Sequence, residues 1–423
     1  MYSYSSSALV LCLLLPHAIA ESPCDIFAKG ETPCVAAHST VRAMYSSYSG
    51  SLYQVKRASD NSLYNINTLA IGGFADAASQ DSFCDSTSCV IQRIYDQSPN
   101  QNHLDIGPPG GAHPAKDTPA NATADGLTVG GHQVYSAYFE GGMGYRLDNT
   151  TGIAKGDEAE TIYMVTNGKH YNDRCCFDYG NAETNNLDDG AGTMEALYFG
   201  NAKGGLNHGG AGNGPWIMAD MENALWGANV EQSNEESISH EFVTAMIKCD
   251  SAHIPPVPSP PPTKPGPSNI TKGHDICPGS GDLSNFVTTD ADKCNVACYG
   301  NQDCTAYVLT RGRCFLKSCL SPVVVSRHAI LGQLPSRQTS RSGHWEIKGG
   351  NAQAGKLKTY WSGPRAPGYS PMKKQGAIIL GIGGDNSDGA VGTFYEGAIV
   401  AGVSSDLTDS QLQNNIVMAG YGK

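Results

Sequence analysis

The apolar residues of this chain come in short runs: Glu160 to Val165, Leu197 to Phe199, Phe242 to Ile247, Ala377 to Ile382 and Thr393 to Val400. Clusters of Gly, Asn and Asp separate them. Runs of that length between turn formers read as strands, and long helical periodicity is scarce. The 50 glycines among 423 residues supply the turns. Strands with one apolar face must bury it against another sheet. The expected fold is therefore mainly β, a sandwich of two antiparallel sheets whose concave face offers a groove to an extended ligand.

Met1 to Ala20 reads as a secretory signal peptide, with an apolar core from Ala8 to Leu15 and a small-x-small cleavage site at Ala18 to Ala20. That core is too short to span a bilayer, and no later segment is apolar for long enough. A secreted, extracellular chain with no membrane partner is expected. A net charge of -12 repels phosphate and argues against nucleic acid. Sequons at Asn121, Asn149 and Asn269 fit glycosylation.

Cys12 leaves with the signal peptide, and the other cysteines fall into two sets. Cys24 with Cys34, and Cys84 with Cys89, are close pairs in turn-rich context and read as local disulfides. Cys175 and Cys176 are adjacent. They either close a tight eight-membered ring, a rigid and weakly polar knob, or pair elsewhere or stay reduced. Cys249, Cys277, Cys294, Cys298, Cys304, Cys314 and Cys319 gather around a stretch bracketed by two linkers. These are a proline-rich spacer from Ile254 to Pro267 and a Ser- and Arg-rich segment from Leu334 to Gly343.

The bracketed body, Asp275 to Pro322, predicts a helix carrying Cys294 and Cys298 on one face, then strands at Ala306 to Leu309 and Cys314 to Lys317. Cys294, Cys314, Cys298 and Cys304 read as disulfide cysteines stapling helix to strand. Zinc is the rival, but paired Cys-x2-Cys knuckles are missing. The spacing Cys-x3-Cys-x5-Cys-x-Ala-Tyr followed by Cys-Phe-Leu-Lys resembles the PAN/apple fold. Strands predicted at Ser239 to Lys248 and His344 to Gly349 flank this region, so the chain leaves a hairpin tip and returns to it. The expected organisation is a signal peptide (1–20), a β-sandwich in two parts (21–253 and 344–423), and between them the spacer with a small α+β disulfide-rich module (254–343).

Two acidic stretches are candidates for chemistry. Asp220 and Glu222 sit two apart in an apolar run, so on a strand both carboxylates project from one face, with Trp216 and Trp226 as stacking surfaces for a sugar. A half-buried strand with an acidic wet face is the alternative. Asp385 follows the apolar run Ala377 to Ile382 behind Gly383 and Gly384, a place from which a general acid could be aimed. An ordinary Asn/Asp/Gly turn and a calcium loop compete there, and the loop lacks the downstream glutamate. His38, His170, His208 and His240 show no metal-ligand spacing, so no metal is expected.

Cys34 to Arg57, Cys175 to Asn185, Gly214 to Asn223 and Gly376 to Ser387 resemble the catalytic domain of glycoside hydrolase family 54 α-L-arabinofuranosidases, and the likeness covers nearly all of 24–248 and 344–423. The resemblance implies a concanavalin/laminarinase-like β-sandwich (jelly roll) and a retaining, exo-acting enzyme without a cofactor. It implies Glu222 as nucleophile, Asp385 as general acid/base, and Asp220, Asn223 and the backbone at Gly384 as holders of the arabinose hydroxyls. It also implies that Cys175 and Cys176 form a vicinal disulfide packed against the sugar. Retention calls for carboxyls about 5 to 5.5 Å apart. The substrate implied is an arabinose-containing plant cell-wall polysaccharide, attacked by a monomer.

The chain departs from the family in three places. Lys423 stands where family members continue into an arabinose-binding β-trefoil. The cysteine-rich insertion is extra, and is expected to hold a glycan or protein ligand in its stead. The family's aromatic upstream of the nucleophile is not evident in Gly204 to Gly214, where Leu206 and His208 occur. A non-catalytic lectin or adhesin, or a hydrolase of another furanoside or of β-glucan, is the alternative function, because this fold hosts several activities.

Overall fold

The computed structural model describes residues 21–203, 212–227, 236–250, 269–276, 282–300, 304–318, 323–333, 344–366 and 368–423. The signal peptide, the proline-rich spacer, Leu206, His208, Cys277, Cys319 and the 334–343 linker lie outside them.

Glu160 to Val165, Leu197 to Phe199, Phe242 to Ile247 and Thr393 to Val400 lie on strands, and Ala377 to Ile382 does so as far as Leu380. Among the described residues two large sheets form, of seven and ten strands. The seven-stranded sheet centres on Gly392–Ala401, Glu160–Asn167 and Phe242–Cys249, flanked by Cys34–Ser39 and by His344–Asn351 and Lys358–Pro364. The ten-stranded sheet runs from Leu225–Trp226 through Trp216–Asp220, Glu195–Gly200, Asp178–Ala182, Ala377–Leu380, Tyr145–Leu147, Leu104–Ile106, Cys89–Ile94 and Ser51–Arg57 to Leu63–Asn67. All pairings within both sheets are antiparallel.

Alternation along the strands decides what lies between the sheets. Tyr179, Leu197, Phe199, Ile217 and Ala219 of the ten-stranded sheet join Tyr163, Val165, Val243, Ala245 and Phe394 of the other in one buried cluster. Asp178, Gly180, Ala196, Met218 and Asp220 alternate with them and so face away from that core. A buried ion cluster ties the sheets together: Lys374 Nζ lies 2.8 Å from Glu160 on one sheet and 2.9 Å from Glu195 on the other. A charge buried this deeply is tolerated because both of its partners are buried with it, and removing the lysine would strand two carboxylates.

The helix Asp406–Ala419 covers the other face of the seven-stranded sheet. Ser405 caps it by accepting from Thr408 N, and Asp409 receives both Lys248 Nζ (2.8 Å) and Lys348 Nζ (2.6 Å) from the sheet below.

Phe242–Cys249 pairs with His344–Asn351 out to Cys249 opposite Trp345, and Asp250 N donates to His344 O. The intervening chain forms its own five-stranded antiparallel sheet, in the order Asn269–Ile276, Val323–Gln333, Ala306–Thr310, Arg313–Lys317, Asp282–Val287. The helix Ala291–Gly300 packs on one face of it over Tyr307, Leu309 and Leu316. Disulfides Cys294–Cys314 and Cys298–Cys304 fix that helix to the sheet and to its own exit loop. Cys24–Cys34 and Cys84–Cys89 are also bonded, whereas Cys249 is free and buried. Asn121 and Asn149 are exposed, while the side chain of Asn269 lies outside the described residues.

Candidate active site

The acidic run does not stay a strand through Glu222. Trp216–Asp220 ends at Asp220, and the chain reverses through Glu222 and Asn223 before pairing back as Leu225–Trp226. Met221 N donates to Ala224 O across the reversal, with φ of 58° at Glu222 and 62° at Asn223. Two successive left-handed residues make a two-residue hairpin loop, which usually asks for Asn and Gly. Glutamate in that conformation is strained, and such strain gathers at functional sites. Asp220 and Glu222 are thus neighbours across a turn, joined by Glu222 N donating to Asp220 Oδ1 at 3.2 Å.

The tryptophans differ from expectation too. Trp216 and Trp226 are buried, the first in a cluster with Cys176, Tyr198, Met218 and Leu225 and the second edge-on to Trp361, so neither offers an open face to a sugar.

The surface they support is instead the bonded pair Cys175 and Cys176. Cys176 is buried and Cys175 exposed. Asp220 Oδ2 lies 3.2 Å from Cys176 Sγ and 3.8 Å from Cys175 Sγ. The loop that carries Asp385 wraps the same pair: Cys176 N donates to Ser387 O, and Gly389 N to Cys175 O. Sulfurs held in a disulfide leave no thiolate for a metal, although with Asp220 they form one of the groupings close enough to chelate an ion. A second grouping, Glu346, Asp406 and Asp409, already holds two lysines. Among the described residues a third, His113, Asp117 and Asp388, contains a His113–Asp388 pair at 2.6 Å.

Asp385 is half-buried at the end of Ala377–Leu380, and its Oδ1 accepts from Ser387 N (3.0 Å) and Ser387 Oγ (2.6 Å). Gly384, the residue before it, lies directly against two other carboxyls. A methyl group there would collide with Glu183 Oε2 and come within 3.0 Å of Glu222 Oε2. This is close approach of backbone to two carboxyls, and only glycine permits it. Asn223 Nδ2 donates to Asp188 Oδ1 at the rim, and Tyr369 Oη donates to Glu222 O.

Three residues that sequence reasoning passed over complete the site. Asp178 sits behind Asp220, fully buried. Among the described residues neither of its oxygens meets an N–H or hydroxyl donor, and the Asp220 carboxyl is its neighbour. Glu183 accepts from Thr193 Oγ1 and faces the Glu222 carboxyl in the same way. Arg146, buried on Tyr145–Leu147, donates to Gly384 O at 2.7 Å and to Glu183 O, holding both segments in register. Asp178 and Glu183 were visible only as members of the run from Cys175 to Asn185, and a three-residue strand gave Arg146 no periodicity to read.

Crowding sets the electrostatics. Burial raises Glu222 to about 10, helped by Glu183, Asp220, Asp188 and Asp385. Burial likewise brings Asp220 up to about 7 despite bonds from Asp178 and Glu222 N–H, and holds Asp178 well above the carboxylate range. Glu183 moves up for the same first cause. Carboxyls this close cannot all ionise, so the cluster keeps protons at neutral pH and titrates as a unit.

A family model described as alpha-L-arabinofuranosidase B, catalytic, matches residues 23–255 and 335–422. Alpha-L-arabinofuranosidase B of Aspergillus kawachii is 42% identical over 421 residues, covering 97% of this chain and 66% of its own length. That of Emericella nidulans is 41% identical over 429 residues, covering 99% and 66%. Among solved structures, a glutamate-to-glutamine mutant of a GH54 α-L-arabinofuranosidase soaked with 4-nitrophenyl α-L-arabinofuranoside aligns with TM-score 0.69 at 41% identity, over 95% of this chain and 66% of its own. An arabinofuranosidase complexed with arabinofuranosyl-alpha-1,2-xylobiose gives 0.69 at 42%, over 95% and 65%. The chain spans 66% of the length of the curated relatives named here.

The raised carboxyls make stability depend on pH with a definite sign. The unfolded chain releases these protons above about pH 4, whereas the folded chain holds them, so the stability they contribute is present below that pH. It is lost as pH rises through the folded values near 7 for Asp220 and 10 for Glu222. The thermal midpoint should therefore fall between about pH 5 and 9, and Glu222→Gln, which cannot ionise, should flatten that fall. An equally steep decline in the variant would show that Glu222 carries no such proton.

Proposed function

The chain belongs to the family of alpha-L-arabinofuranosidase B catalytic domains, and from that premise we propose that it is a secreted, retaining, exo-acting α-L-arabinofuranosidase that removes terminal arabinofuranose side chains from plant cell-wall arabinan or arabinoxylan. The observation that carries the reading is the meeting of Glu222, Gly384 with its neighbour Asp385, and the Cys175–Cys176 pair at one end of the ten-stranded sheet. A sugar ring there would find a nucleophile, a proton donor on a rigid strand end and a flat sulfur surface.

In this reading the Glu222 carboxylate attacks the anomeric carbon while Asp385 gives its proton to the departing oxygen, leaving a covalent arabinosyl-enzyme. Asp385 then takes a proton from water as the water oxygen attacks the same carbon. The bond to Glu222 breaks and arabinose leaves. Asp220, Asn223 and the Gly384 backbone hold the hydroxyls, and Arg146 acts through Gly384 as a positioning residue. Reaction requires Glu222 ionised and Asp385 protonated. The crowded site carries Glu222 protonated when empty. Glu222 must give up that proton before it attacks.

Glu222→Ala and Asp385→Ala should each lower turnover of 4-nitrophenyl α-L-arabinofuranoside by about a hundredfold or more. Azide should rescue both, yielding the β-arabinofuranosyl azide from Glu222→Ala and the α-azide from Asp385→Ala. Azides of swapped configuration would reverse the roles. No turnover by folded wild type that still binds arabinan would favour a lectin.

The inserted five-stranded module, read as PAN/apple-like, is proposed to hold a glycan or a cell-wall protein. Deleting residues 254–343 should weaken retention on arabinoxylan or pectin and spare the aryl arabinoside. Equal retention would remove that role from the module.

A further inference from the structure

Strand register lays out a row of paired residues on the outer face of the ten-stranded sheet, buried from Ala196 to Arg146 and more open from Asp105 to Asn65. From Asp220 the paired residues run Ala196, Gly180, Ile379, Arg146, Asp105, Arg93, Gln54 and Asn65, each opposite the next. Residues out of phase with this row, among them Ala219, Leu197, Tyr179, Tyr145, Leu104, Ile94 and Tyr53, lie in the core between the sheets. The row therefore belongs to one face, with the acid cluster at one end and Asn65 at the other. Gly180 and Asn65 are six strand spacings apart, about 29 Å along the sheet at roughly 4.8 Å per strand.

At the Asn65 end the chain builds a cavity of about 270 Å3, lined by Tyr48, Ser51, Asn65, Tyr95, Gln101 and His103 among others. It shares no residue with the acid cluster. Its volume is close to the lower limit of small-ligand sites, suited to a sugar unit. The half-buried Tyr95 ring stands edge-on to His103 at 5.0 Å, and its hydroxyl sits 3.3 Å from Gln54 Nε2 and 3.0 Å from Asn65 Oδ1. Phenol faces beside amides and hydroxyls are the side chains that bind sugar rings and their hydroxyls.

The lining holds one acid and neither lysine nor arginine. Asp96, the acid in the wall, spends its oxygens on Ala37 N, Ser98 N and Oγ, and Asn102 N. His103 accepts from Asp96 N through Nδ1, which leaves its proton on Nε2, and burial holds it on the neutral side. Arg93 and Asp105, between the cavity and the acid cluster, neutralise each other at 2.6 Å. A phosphate or uronate finds no cation free to meet it there.

We propose that the Tyr48, Asn65 and Tyr95 cavity is a second carbohydrate site, which holds a neutral pentose polymer while a side chain of the same molecule occupies the acid cluster. The choice of polymer rests on the arabinofuranosidase reading, whereas the cavity does not. Separation makes the effect selective, because an aryl arabinoside cannot reach from one end to the other.

The test uses the full chain with Asn65→Ala, whose side chain is exposed, and Tyr95→Ala, both checked for an unchanged thermal midpoint. KM for arabinoxylan and for linear arabinan should rise about three- to tenfold in each, as expected for one lost aromatic or hydrogen-bond contact, with kcat/KM for 4-nitrophenyl α-L-arabinofuranoside unchanged. Calorimetric titration of Glu222→Gln with xylohexaose should show binding that Tyr95→Ala in the same background abolishes. Should Tyr95→Ala fold poorly, Asn65→Ala alone decides. Equal losses on polymer and aryl substrate, or none on either polymer, would overturn the cavity proposal while leaving the arabinofuranosidase reading standing. Xylohexaose binding that depends on Tyr95 in a chain with no hydrolytic activity would uphold the cavity and overturn that reading instead.

Discussion

Five carboxyl groups, those of Asp178, Glu183, Asp220, Glu222 and Asp385, are drawn together where strand ends and loops of one sheet meet. Their mutual repulsion, sharpened by burial, is the constraint on which the rest of the site depends. Proteins avoid placing so many acids in one low-dielectric space unless protons or cations offset them. Here Asp178 lies beside Asp220 and Glu183 beside Glu222, and burial holds all four above the ordinary carboxylate range, so protons offset the crowding. The nearby guanidinium of Arg146 spends its bonds on Asp148 and on the backbone oxygens of Glu183 and Gly384. It fixes geometry and leaves the cluster short of positive charge.

That economy explains why the scaffold is stiff. A crowded acid cluster works only if the separations between its members are held, since these set which carboxyl carries the proton. Glu222 is placed by a strained two-residue turn, Asp385 by the end of a buried strand, and the Cys175–Cys176 pair by backbone bonds to the Asp385 loop. Beneath them Lys374 joins Glu160 to Glu195 and so couples the two sheets near the same end. The outer face of the same sheet then turns polar at Arg93, Asp105, Gln54 and Asn65, on the side of the tyrosine-lined cavity.

Much of this architecture was legible in residue order, and the failures have physical causes. Short apolar runs became strands because their alternation matches a half-buried or fully buried sheet, and the cysteine spacing at 294, 298, 304 and 314 marked a stapled helix on a small sheet. Sheet order was not legible, because Asp178–Ala182 and Ala377–Leu380 are neighbours only in space. The turn at Glu222 was hidden because its two residues are Glu and Asn, with no glycine to announce positive φ. Trp216 reads equally as a platform or as core until the cluster with Cys176, Tyr198 and Met218 is seen. Asp178 and Arg146 lie on strands beside apolar neighbours, and only a folded sheet reveals that Asp178 neighbours Asp220 and that Arg146 holds the backbone oxygens of Glu183 and Gly384.

The most direct measurement is to inactivate the wild-type protein with an electrophilic cyclic sulfate of α-L-arabinofuranose configuration and to locate the label by peptide mass mapping. A single label on Glu222, absent in Glu222→Gln, is the outcome expected if this carboxyl sheds its proton and attacks. A label on Asp178, Glu183, Asp220 or Asp385 would place the nucleophile elsewhere in the cluster and contradict the account.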